Sequence, residues 1–173
     1  MSASTVQTAD AVNAILGIDE SSPIAQLRNQ KPQLVTELQE YYDSLFVPSA
    51  HSAAELPLAD RFVVAVRVAS FTNSEAVAAW YANLADQAGV SAETIAQARD
   101  TASAWTGDST LDAAIRHTDL LTTSPSDARP ESLQALKDAG LTPAGIVSLS
   151  QTIAFVNYQL RLIAGLRAFG GNS

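Results

Sequence analysis

Apolar residues recur at helical spacing along most of the chain. Asp10 to Leu16 reads as a short helix that Gly17 stops. Ile24 to Phe46 is the next helical stretch, and Pro32 divides it, because proline removes a backbone donor and clashes with the preceding turn. Within it Leu34, Leu38, Tyr41 and Leu45 step by four, three and four, which is one face of a helix. Val47 to Glu55 is a loop around Pro48. Pro57 to Ala88 reads as one long helix or two joined by a tight turn. Its first half, Phe62 to Ala69, is apolar on nearly every side. The valines there would also suit a strand, but the length and the alanine-rich continuation favour a buried helix. Thr72-Asn73-Ser74 is the expected break, since these residue types favour turns and helix caps.

The second half follows the same grammar. Ser91 caps a helix running to about Ala104, with Glu93 in its first turn. Ser109-x-x-Asp112 resembles a capping box for Leu111 to Leu121. Thr123 to Pro130 is a loop, and Pro130 begins a short helix that Gly140 terminates. Thr142-Pro143 opens the last helix, where Ile146, Leu149, Ile153, Val156, Leu160 and Ile163 repeat at threes and fours for five turns. The pattern predicts one all-α domain over residues 10–169, with flexible tails at 1–9 and 170–173.

Composition agrees. The 173 residues include 31 alanines, the strongest helix former, and 47% are hydrophobic, which argues against disorder. There is no cysteine, so disulfides, thiolate metal sites and thiol nucleophiles are excluded. Two histidines make a histidine-based metal site an unattractive reading, and no cofactor is expected. The net charge of −8 disfavours nucleic acid, and the ten basic residues are scattered singly. Ile146 to Phe169 carries Gln151, Asn157, Gln159, Arg161 and Arg167, too polar for a membrane span. Met1 to Asp10 lacks the basic and apolar regions of a signal peptide, so a cytoplasmic protein is expected.

Candidate chemistry is sparse. The eight glycines form no phosphate-binding loop, and no Gly-x-Ser-x-Gly elbow is present. His117, beside Arg116 and Asp119, is either a general base or pocket donor, or a helix residue bonded locally. His51 sits in a polar loop and suggests no role. Asn157 and Arg161, four apart, share a face and interrupt an apolar pattern. They either line a pocket for an anionic or carbonyl ligand, or Arg161 joins a structural salt bridge, a subunit interface being one place for it, since a buried arginine needs a partner. Trp80, Tyr81, Trp105, Phe155 and Tyr158 could line a pocket; core packing is the commoner use of such residues.

Two segments carry a resemblance. The run Arg61 to Ser74 followed by Trp80-Tyr81 resembles the core helical motif of the carboxymuconolactone decarboxylase / alkylhydroperoxidase-D-like superfamily. His117 to Pro125, then Leu136 to Ile146, then Phe155 to Arg161 resembles the C-terminal half of its peroxidase-related branch. The resemblance covers about Pro57 to Arg167. It implies an all-α, alkylhydroperoxidase-D-like multi-helix bundle that assembles as a trimer or hexamer.

The redox branch of that superfamily works through Cys-x-x-Cys-x-x-x-His, with a glutamate about one helix upstream. Here Ser74 and Val77 align with the two cysteines, Tyr81 with the histidine, and Phe62 near the glutamate. Neither serine nor valine can do the work of a peroxide-reducing thiol pair. The resemblance therefore implies a Cys-less, non-redox member: a homo-oligomeric binding or accessory protein, acting beside a Cys-containing relative or standing as the detached equivalent of one half of a two-domain protein. Its candidate pocket is Ser74, Val77, Tyr81, His117, Asn157 and Arg161. The alternative is a cofactor-free decarboxylase or isomerase acting on a small lactone or carboxylate through His117, Asn157, Arg161 and Tyr81.

Overall fold

The computed structural model describes residues 10–47, 56–72, 74–107 and 109–169, and every regular element among them is helical. In order these are α1 (Ala11–Leu16), α2 (Pro23–Arg28), α3 (Pro32–Phe46), α4 (Leu58–Phe71), α5 (Glu75–Gln87), α6 (Ala92–Arg99), α7 (Thr110–Thr123), a 3-10 turn (Pro125–Asp127), α8 (Pro130–Asp138) and α9 (Pro143–Phe169). His51, most of the loop Val47 to Glu55, Asn73 and both expected tails lie outside the described residues.

Local signals set most helix ends. Asp10 caps α1 by accepting from the Asn13 amide, and Gly17 closes it at φ 66°, where a side chain would be strained. Ser22 and Ser91 cap α2 and α6 by accepting from the amides of Ala25 and Thr94. Ser109 and Asp112 form the reciprocal capping box of α7. The Thr142 hydroxyl accepts from the Gly145 amide at 3.0 Å at the start of α9.

Helix α4 is the centre of the bundle and packs against α5, α6, α7 and α9. All nine residues from Arg61 to Ala69 are buried. Packing on every side explains why a valine-rich run is helical here: burial outweighs the modest helix propensity of β-branched residues. The core continues through Phe46, Tyr81, Ile115, Leu149, Phe155 and Ile163.

Two arginines inside this apolar helix hold its neighbours. Arg61 Nε donates to the Leu56 carbonyl at 2.6 Å, and Nη1 donates to the Leu45 carbonyl at 2.8 Å. Arg67 makes a bidentate pair with Asp119 of α7, both bonds 2.8 Å. The same guanidinium donates to the carbonyls of Asp100 and Ser103 just beyond α6 and stacks on Phe71 at 5.0 Å. Carbonyls beyond a helix's last turn lack intrahelical donors, and a buried guanidinium supplies them.

Two features differ from the sequence pattern. Helix α6 ends at Arg99 rather than near Ala104, because the Asp100 carboxylate turns back to accept from the Ala102 and Ser103 amides while Arg67 draws the carbonyls of Asp100 and Ser103 inward. The face of Leu34, Leu38, Tyr41 and Leu45 is not sealed within the chain. Leu45 is buried, but Leu34 is 61% exposed and Tyr41 is 39% exposed.

Candidate functional site

The positions aligned with the superfamily's redox residues lie mostly inside the core. Val77 and Tyr81 are four apart on α5, so they share a face, and neither has any exposure. Phe62 projects from α4 and stacks on Phe46 at 5.6 Å and 10°. Phe46 also meets Tyr81 at 5.0 Å and Phe155 at 6.1 Å. The space is an aromatic cluster, with no ionised group in it.

One hydrogen bond runs through this cluster. The Tyr81 hydroxyl donates to Gln159 Oε1 at 2.8 Å, and both residues are fully buried. Gln159 Nε2 has no partner. Burial holds the Tyr81 phenol well above its ordinary range, so it stays protonated and is no base. The neighbouring Tyr42 is raised for the same reason, and its hydroxyl lies 3.3 Å from Trp80 Nε1, which donates to it.

Ser74 sits apart, at the N-terminal end of α5 in a shallow polar hollow of about 190 Å³ with Ser70, Glu75, Ala78 and Arg99. Glu75 and Arg99 pair across this hollow. His117 lies elsewhere again, in a cleft of about 200 Å³ between α7 and α8 bordered by Arg116, Leu120, Ser132 and Leu136. It is 6% exposed, and its Nδ1 is buried without a partner. Burial lowers its pKa below the ordinary histidine value, since a proton added there would be poorly solvated.

Asn157 and Arg161 face the outside of α9. Asn157 Nδ2 donates to the Ile153 carbonyl at 3.0 Å, and Arg161 Nη1 donates to the Asn157 carbonyl at 2.9 Å. Arg161 is exposed, and among the described residues its hydrogen bonds go to Asn157 of its own helix, with no salt bridge within the chain. Its exposure follows from α9 lying at the edge of the bundle, with one side uncovered.

The six candidate residues therefore do not surround one cavity. Val77 and Tyr81 are together in the core, Asn157 and Arg161 are together on α9, and Ser74 and His117 are each separate. An acid–base reaction needs its groups within hydrogen-bond reach of one substrate, and His117, Tyr81 and Arg161 are not arranged that way. Of the aromatic set, Tyr81, Trp105 and Phe155 are core, while Tyr158 is 53% exposed.

Sequence reasoning missed the buried polar residues that matter most to this geometry: Arg61, Arg67 and Gln159. Two arginines within an otherwise apolar run were the visible signal for the first pair. Gln159 had none, because its partner Tyr81 is 78 residues away. Among the described residues no group of three or more His, Asp or Glu side chains could hold a metal ion. No helix among them is long and apolar enough to cross a membrane.

A further concavity of about 220 Å³ runs between α3 and α9, walled by Leu27, Leu34, Leu38, Tyr158, Leu162 and Leu166, with the basic Arg28 and Lys31 also lining it.

No family model matches the chain, and no curated protein matches it. Among solved structures the fold is similar to that of an uncharacterized peroxidase-related protein from Silicibacter sp. TM1040, with a TM-score of 0.67 and 13% identity. That likeness covers 76% of this chain and 66% of the other, just under two thirds of its length. At such low identity the likeness establishes the helical fold.

Proposed function

We propose that this chain is a Cys-less, non-redox member of the carboxymuconolactone decarboxylase / alkylhydroperoxidase-D-like superfamily. It works as a homo-oligomeric binding or accessory protein, a trimer or hexamer, beside a Cys-containing relative. The observation that carries the reading is the fate of the redox positions. Where the superfamily's motif has its second thiol and its histidine, Val77 and Tyr81 close a core with no exposure. Where the first thiol would lie, Ser74 sits in a polar hollow with no general base beside it other than a carboxylate already paired to Arg99. A peroxide has no entry at Val77 and Tyr81 and meets no thiolate at Ser74. The fold shared with a peroxidase-related protein supports the scaffold half of the reading.

The test is a peroxidase assay with tert-butyl hydroperoxide and a dithiol reductant, together with native mass spectrometry. The expected result is peroxide loss equal to a protein-free control and a mass of three or six chains. Peroxide turnover above that control would overturn the non-redox assignment. A monomeric mass would overturn the homo-oligomeric one.

A further inference from the structure

Helix α9 carries apolar residues beyond its inner face, and apolar helix surface is ordinarily covered. Its inner side packs on α4, α7, α3, α1 and α8. Its outer side carries Val147 at 57% exposure, Tyr158 at 53% and Phe169 at 70%, with exposed Ala154, Gly165 and Ala168 between them. Arg161 is the charged residue in the middle of that side. Arg167, six residues on, points about 120° away by helical periodicity.

Beside this surface, α3 adds the exposed Leu34 and Tyr41, and the Tyr41 ring meets Phe155 at 5.0 Å. The groove between Leu34, Leu38, Tyr158 and Leu162 joins the two helices into one face. The large apolar side chains on it leave on the order of 500 Å² bare, near the upper end for a stable monomer. A stable interface covers about 800 Å² on each partner, so this face with its rim supplies most of one.

Charge indicates what covers it. Glu37 lies between Leu34 and Tyr41 on the outer edge of their stripe, exposed, with only the Gln33 amide donating to it at 2.8 Å. Arg161 donates only to oxygens of Asn157 on its own helix. The two are complementary charges on this face, and neither forms a salt bridge among the described residues; the groove beside them is also lined by Lys31 and by Arg28, which pairs with Asp10. In a two-fold contact, residue i of one copy meets j of the other and j meets i. If α3 of one copy lies on α9 of a second, the two-fold axis repeats any contact between Arg161 and Glu37. The net charge of −8 works against anionic lipid, and Glu37 opposes the basic Lys31 and Arg161 on this face, which favours a partner of mixed charge over a membrane.

We infer that the α3/α9 face is where two copies of this chain pair about a two-fold axis, with Arg161 of each copy against Glu37 of the other. This rests on the homo-oligomeric reading above and specifies it: of the trimer and the hexamer, such two-fold pairs build the hexamer.

Sedimentation velocity over a micromolar concentration series tests the pairing. All the residues to be changed are exposed, and circular dichroism of each variant checks the fold. The wild type is expected to sediment as an even number of chains. Tyr158→Glu halves that mass. Arg161→Glu and Glu37→Arg each weaken pairing by about tenfold or more, the lower range of coupling for close interfacial charges. The double variant R161E/E37R restores it to within about threefold. A double variant no better than either single change overturns the contact. An oligomer that keeps its full mass in Tyr158→Glu overturns this face while leaving the homo-oligomeric reading in place. A monomeric wild type overturns both, as does one that instead floats with anionic phospholipid vesicles.

Discussion

Replacing Tyr81 with phenylalanine removes one oxygen from a hydrogen bond that no water reaches. Tyr81 and Gln159 are both fully buried, and the hydroxyl donates to Oε1 at 2.8 Å. The phenylalanine ring would keep its packing on Phe46 at 5.0 Å, so the cavity contribution is only that of one atom. What remains is the Gln159 carboxamide, whose Nε2 already lacks a partner and whose Oε1 would now lack one too. Leaving such a group unpaired costs about 1–3 kcal/mol. Gln159→Leu removes the orphaned amide but leaves the phenol unpaired, so its net effect is expected within about 1 kcal/mol of zero. The double variant removes both members of the bond and is expected within about 0.5 kcal/mol of the wild type. Urea denaturation at fixed protein concentration gives all three, read from the midpoint with an unchanged slope. The reasoning fails if Tyr81→Phe is neutral, because a phenol open to a ligand pocket would exchange its bond for water at little cost. It fails equally if Tyr81→Phe costs the same with and without Gln159.

Two further outcomes follow from the buried charges. His117 has a folded-state pKa below its unfolded value, so below about pH 6.5 the unfolded chain binds more protons and wild-type stability falls as the pH drops through that range. His117→Gln should flatten that part of the profile, measured as urea midpoints at about pH 7.5 and about pH 5.5, and an unaltered slope would refute the assignment. Asp119→Ala leaves Arg67, whose side chain is 2% exposed, with carbonyl partners alone. Breaking a buried pair costs 3–5 kcal/mol, but Asp119 is 25% exposed, so about 2–4 kcal/mol is expected, or roughly 5–15 °C in the melting temperature. A shift under about 2 °C would mean that the carbonyls alone satisfy the guanidinium.

The helix boundaries were legible because their causes are local. Asp10 with Gly17, the Ser109–Asp112 box and the Thr142-Pro143 start each act within about one turn, and each appears as read. The misplaced end of α6 shows where that stops. Thr101 to Ala104 has nothing in its composition that forbids a helix. Its backbone is drawn out of one partly by Arg67, more than 30 residues earlier in the chain.

The candidate site was less legible for the same reason. Val77 and Tyr81 could be placed on one face from their spacing alone, yet only the packed bundle shows that this face looks into an aromatic core. Arg67 and Arg161 make the sharper contrast. Each interrupts an apolar helix, and from sequence Arg161 was the one weighed for burial; the structure buries Arg67 and exposes Arg161. A helix with apolar residues on every side has no polar face to point outward, so periodicity cannot tell which of its charges are inside. It can tell only that the whole surface wants cover. For α4 the chain itself provides that cover. For α9 the chain covers one side, leaving Val147, Tyr158 and Phe169 bare around Arg161, and that bare apolar surface then becomes an argument about a second copy.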